Sequence, residues 1–211
     1  MCSLKTPTCL LLNTKQKFLA FGYEAEDKYA ELVMNGKDKD FYYFEHFKLN
    51  LHNNPHLDLQ MVLQDMTGKP VAALKVFAKS IKALKNHLLQ QIKTQGADIK
   101  SNEIQWVLTV PAIWTDKAKQ FMRESAEKAK IPSNQLLIAL EPEAESIYYQ
   151  YSKSKRSGVT NAANKNDIPK RYMIVDIGGG TADLAVHEKL EDGSLKEIRK
   201  SVDPVVATVV D

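Results

Sequence analysis

Cysteine is scarce in this 211-residue sequence: there are two, Cys2 and Cys9, both near the start. That excludes a disulfide framework and favours a reducing, intracellular setting, so a cytoplasmic protein is expected. An excess of one charge is also missing. Lys and Arg number 29 against 26 Asp and Glu, and a net charge of +3 spread along the chain is too small to imply nucleic acid. There is no sustained apolar run. The opening "MCSLKTPTCLLLNTKQKF" has a short apolar core after one lysine but no small-residue cleavage site, which argues against a signal peptide. The one long helical pattern, 71–95, carries Lys75, Lys79, Lys82, Lys85 and Lys93 and cannot cross a bilayer. No repeat of fixed period is visible. What remains, 44% hydrophobic and 26% charged, is the composition of an ordinary soluble chain with enough length for one large domain or two small lobes.

Local patterns alternate between strand and helix. "PTCLLL" (7–12) and "KFLAFG" (17–22) read as a hairpin around the polar "NTKQ". Residues 24–34 read as a short helix closed by "NGKDKD", and "FYYFEHFKLNL" (41–51) as either a strand or a buried loop. "LDLQMVLQDMTGKPV" resembles a second hairpin turning near Thr67-Gly68. The clearest helix follows. Leu74, Phe77, Ile81, Leu84, Leu88 and Ile92 recur at spacings of three and four and predict the buried face, with the lysines opposite. "IQWVLTVPA" (104–112) predicts a buried strand ending at Pro111. Thr115 and Asp116 then open a helix with Ala118, Phe121, Met122 and Ser125 on one side. "QLLIAL" (135–140) reads as a strand, and "EPEAESIYYQY" (141–151) begins with residues suited to a first helical turn. The segment 152–170 offers almost nothing to bury and reads as a flexible linker or insertion.

"RYMIVDIGGGTADLAVHE" sets the functional question. Loops of the Rossmann and Walker kinds run from a strand into a helix. Here Ala182, Leu184 and Val186 alternate with Asp183, Ala185 and His187, a period of two, so a strand follows and the glycines sit at the tip of a hairpin. After "EDGS", the segment "LKEIRKSV" alternates as a further strand. Such a tip can be a tight turn with no ligand. It can also bind phosphate, because glycine lets the backbone approach closely and successive amides form an anion nest. Thr181 adds a hydroxyl, and Asp176, at the carboxyl end of a buried strand, could orient magnesium through its water shell.

Three blocks, "VLTVPAIWTDKAKQFMRESA", "LLIALEPEAESIYY" and "YMIVDIGGGTADLAVHE", occur in this order and spacing. Together they resemble the nucleotide-binding domain of the heat shock 70 kDa protein family, in its divergent 12A/12B branch. "KTPTCLLL", "FGYEAEDKY" and "YYFEHFKLNLH" extend the resemblance over nearly the whole chain. It implies an α/β fold of the actin-like ATPase (ribonuclease H-like) kind, with two lobes around a cleft for ATP and Mg. Residues 1–151 would then be part of the first lobe, 152–170 the linker, and 171–211 the start of the second lobe. By the same resemblance Gly178, Gly179, Gly180 and Thr181 hold phosphate, and Asp176 and Glu141 organise Mg, Glu141 through water. Asp183 is a further carboxylate near the chemistry, Lys48 corresponds to the catalytic lysine, and Pro111 relays nucleotide state between lobes. Each also has a plain structural reading. Glu141 suits a helix start, Asp183 a solvent-facing strand position, Lys48 a surface charge beside aromatic packing, and Pro111 a strand end.

The family pattern has two departures. No aspartate-glycine-threonine loop, the family's first phosphate loop, precedes residue 7, and "SVDPVVATVVD" stands where a second glycine-rich loop is expected. The fold is therefore expected to be incomplete. ATP/Mg binding is expected in a full-length protein and is weak or absent in this chain, which leaves its status as an enzyme open. Expected partners are ATP or ADP and protein clients or co-chaperones, without nucleic acid or a membrane span. The alternative is a non-catalytic interaction or scaffold module that keeps the fold without ATP turnover.

Overall fold

The computed structural model describes residues 5–52, 54, 57–156, 169–177 and 181–204. By internal contacts the chain forms two compact units, Met1–Trp106 with Thr115–Leu137, and Val107–Trp114 with Ile138–Asp211.

The first unit is built on β1 (Cys9–Leu12), which lies between β2 (Phe18–Phe21) and β3 (Tyr42–Glu45), antiparallel to both. Its central place explains why "CLLL" is buried at every position. The expected first hairpin is present, its turn held by Asn13, whose side-chain oxygen accepts from the amides of Lys15 and Lys17. Residues 41–51, readable as strand or loop, are strand to Glu45 and then a 3-10 turn, Phe47–Leu51. α1 (Tyr23–Met34) stacks Tyr29 on Tyr43, ring centroids 4.1 Å apart. It starts at Gly22, where φ is 67° and a Cβ would lie 2.0 Å from Thr6 Oγ1, so only glycine fits. β4 (Val62–Gln64) and β5 (Pro70–Ala72) form the second hairpin, turning at Thr67-Gly68 as expected. Asp65 Oδ1 accepts from the amides of Thr67 and Lys69 there.

Two helices complete this unit, α2 (Ala73–Thr94) and α3 (Asp116–Lys128). α3 follows its sequence pattern: Thr115 Oγ1 accepts from the amide of Ala118 at 3.3 Å, and Ala118, Phe121, Met122 and Ser125 are buried. α2 departs from its pattern. Of the six expected apolar positions only Phe77 is fully buried, while Leu84 and Leu88 are 50% and 44% exposed. The buried stripe is instead Ala73, Val76, Phe77, Ala78 and Ser80. Small side chains let the first half of α2 approach its neighbours closely, and Phe77 then meets Phe47 and Phe121 edge-on at 5.1 and 5.4 Å. Nor do all the lysines face outward. Lys85 is buried, and its Nζ donates to the carbonyl of Lys130 at 2.6 Å, just past the end of α3.

β6 (Trp106–Val110) and β7 (Leu136–Leu140) pair as a two-stranded sheet. The reading of 104–112 as a buried strand is corrected: Val110 is buried but Val107 is 56% exposed. A two-stranded ribbon has one covered face at most. In the second unit α4 (Glu141–Arg156) follows β7 directly and continues past Tyr151, where the sequence pattern ends. Residues 157–168, in the segment read as a linker, lie outside the described residues.

β8 (Arg171–Ile177), β9 (Thr181–Lys189) and β10 (Leu195–Pro204) form an antiparallel sheet in the order β10-β9-β8. The element after the glycines is thus a strand, as the period of two predicts. The β9–β10 turn holds Gly193 at φ 87°, with Asp192 accepting from the amide and hydroxyl of Ser194. β8 was expected to be buried and is not: Met173, Val175 and Ile177 are exposed, and Tyr172, Ile174 and Asp176 are half-buried. It is an edge strand, and α4 covers one face of the sheet only. No helix among the described residues is long and apolar enough to cross a membrane.

Candidate functional site: four carboxylates where a helix meets the sheet

The register of the sheet places Asp176 on β8 directly opposite Asp183 on β9, with Ile177 opposite Ala182 as the last pair before the glycines. Two like charges facing each other across a ladder oppose folding. Along the same face the next opposite pairs are Ile174 with Ala185 and Tyr172 with His187. His187 is 1% exposed and Ala185 is also buried. Asp183 therefore points to the face that α4 covers and is half-buried, which sets aside its reading as an ordinary solvent-facing residue.

α4 supplies the other half of the cluster. Its first turn holds Glu141 and Glu143, where negative charge suits the positive end of the helix dipole. Pro142 is buried, as suits a residue that needs no amide donor there, and Glu143 accepts from the amide of Leu140 at 3.3 Å. One turn after Glu141, on the same stripe, comes Glu145, half-buried and close to Asp176. Burial, first of all, raises the pKa of Glu145, and then Asp176, Glu141 and Asp183 raise it further. Glu145 thus lies within electrostatic reach of Glu141, Asp176 and Asp183 at a single helix–sheet junction. Sequence reasoning selected three of them and missed Glu145. Its one signal was the spacing of four from Glu141, which means nothing until that helix face is known to meet the sheet.

The donor set is all carboxylate oxygen, which suits a hard divalent cation, and Mg2+ in particular keeps several of its waters when bound. Among the described residues no group of three or more His, Cys, Asp or Glu is disposed to hold a metal ion. Thr181 begins β9 opposite Pro204, while Gly178, Gly179 and Gly180 lie outside the described residues. Lys48 belongs to the other unit. It is exposed on the 3-10 turn Phe47–Leu51, between the buried Phe47 and Leu51. Pro111 is buried just after β6, and its carbonyl accepts from the amide of Trp114 at 3.2 Å.

A second pair escaped sequence reasoning. Ser146, 0% exposed on α4, places its hydroxyl 2.7 Å from Nδ1 of His187 on β9. Alternation alone marked His187 only as one of a period-two set.

Comparison with known proteins adds a second line. The family model described as Hsp70 protein matches residues 43–205. Heat shock 70 kDa protein 12A of Mus musculus is 36% identical over 93% of this chain, and heat shock 70 kDa protein 12B of Homo sapiens is 37% identical over 93%. A chaperone protein HscA homolog of Neisseria meningitidis serogroup B is 30% identical over 65% of the chain. The chain spans 36% of the length of the 12A and 12B relatives and 20% of that of the HscA homolog.

Proposed function

Because the chain belongs to the Hsp70 protein family, in the 12A/12B-like branch, and has the actin-like ATPase fold, we propose that it is part of a nucleotide-binding domain that binds ATP with magnesium in the full-length protein. The observation that carries this reading is the register of Asp176 against Asp183 with Glu141 and Glu145 above them. Four carboxylates held together are electrostatically unfavourable unless a cation offsets them. Asp176 and Glu141 hold the water shell of Mg2+, which when bound neutralises phosphate charge. Asp183 orients water at the same junction. Gly178, Gly179, Gly180 and Thr181 wrap the phosphates with backbone amides. Lys48 takes the role of the family's catalytic lysine. Residues 1–151 contribute to the first lobe and 171–211 to the second, joined through 152–170. The setting is cytoplasmic, and protein clients or co-chaperones are the partners.

Calorimetric titration of the full-length protein with Mg-ATP tests this. Saturable binding that Glu141→Ala weakens supports it, and no heat of binding in the parent protein contradicts it. The alternative is an interaction module that retains the fold without turnover. The lack of glycine in "SVDPVVATVVD" favours that alternative, and pull-downs giving the same partners with and without ATP would support it.

A further inference from the structure

The four carboxylates come from three elements, two on α4 and one each on β8 and β9, so they meet only at one rotational setting of the helix on the sheet. A helix turns about 100° per residue, and a roll of about 20° carries a carboxylate ~6 Å from its axis through about 2 Å. Apolar packing alone tolerates a roll of that size, whereas a buried polar bond does not. Ser146 and His187 form such a bond: both are buried, on facing elements, at 2.7 Å. The ring of His187 is fixed from the side by Tyr172, edge-on with centroids 6.1 Å apart, and Gln150, one turn beyond Ser146, donates to the Tyr172 hydroxyl at 3.3 Å. Nε2 of His187 has no hydrogen-bond partner among the described residues. The polar anchorage of the ring is therefore through Ser146.

We propose that Ser146 and His187 are positioning residues for the carboxylate cluster, setting the roll of α4 so that Glu141 and Glu145 face Asp176 and Asp183. The importance of that positioning rests on the reading of the cluster as a magnesium site. Ser146 neighbours Glu145 in the chain, and His187 lies four residues along β9 from Asp183, so one bond registers both halves.

The test has two arms, both on the full-length protein. The first is a double-mutant cycle in urea unfolding between Ser146→Ala and Asp176→Asn, which lie on different elements. Independent sites give additive shifts. Positioning predicts that the midpoint shift caused by Asp176→Asn changes when Ser146 is Ala and returns with Ser146→Thr, which keeps the hydroxyl. Additive shifts overturn the proposal. His187→Leu, which fills the site without the bond, should repeat the Ser146→Ala result, and a parent-like His187→Leu also overturns it. The second arm titrates Mn2+, as a paramagnetic stand-in for Mg2+, into parent and variants. The expected result is a loss of about tenfold in affinity in Ser146→Ala, the size seen when a residue supporting a metal ligand is removed. Equal affinities overturn the positioning role at the ion. Coupling in the first arm with no Mn2+ binding by the full-length parent supports the bond as the setter of the helix roll and overturns the magnesium reading instead.

Discussion

At the residue scale, Glu145 carries the sharpest consequence. Burial and three neighbouring carboxylates hold its pKa above the ordinary value of 4.5 in the folded chain. The folded state therefore binds the proton more tightly than the unfolded state. Its contribution to stability is fully present below pH 4.5 and is lost as pH rises through the raised folded value. Glu145→Gln removes that loss. Thermal unfolding between pH 4 and 8 without divalent cations should show the variant melting above the parent at pH 7, with the gap closing toward about pH 4.5. A gap of the same size at both ends would place its origin elsewhere. Asp176 was legible as a candidate because a glycine-flanked strand end is a recognisable place for a carboxylate, and Asp183 through the family resemblance. Glu145 was not, since its role comes from packing between elements far apart in sequence. The same holds for the contact of Ser146 with His187, separated by 41 positions.

At the element scale, α2 and α3 show when hydrophobic period suffices. α3 has a defined cap at Thr115 and a single contact face, so its buried set could be read directly. α2 has apolar residues on more than one face, and the period marked the bulky ones. The fold buries the small ones instead, because close approach to its neighbours favours Ala73, Ala78 and Ser80. Urea unfolding separates the two readings. Phe77→Ala should cost about 3–5 kcal/mol, as truncation of a buried aromatic does, whereas Leu84→Gln should stay within about 0.5 kcal/mol. Comparable losses at both positions would restore the face predicted from period. Lys85 extends the same point. Its Nζ satisfies the Lys130 carbonyl where the chain leaves α3 at φ 67°. Lys85→Met keeps much of the apolar stem but removes the donor, so a loss of about 1–2 kcal/mol is expected in the same measurement. No change would mean that water serves that carbonyl equally well.

At the scale of the whole molecule, the α/β alternation and the glycine hairpin were readable from local pattern, and the ordered blocks carried the family. The exposed faces of β6 and β8 were not readable, because an apolar strand looks the same whether one face or both are covered. The central claim is that the junction of α4 with β8 and β9 holds a hydrated magnesium ion beside ATP phosphate. The most direct measurement is ATP titration of the full-length protein in magnesium and in excess EDTA, for the parent and for Asp176→Asn. Magnesium should tighten ATP binding by about tenfold or more in the parent, in keeping with charge-assisted metal contacts, and Asp176→Asn should abolish the difference. Equal ATP affinity in the two buffers for the parent, or an undiminished magnesium effect in Asp176→Asn, would contradict it.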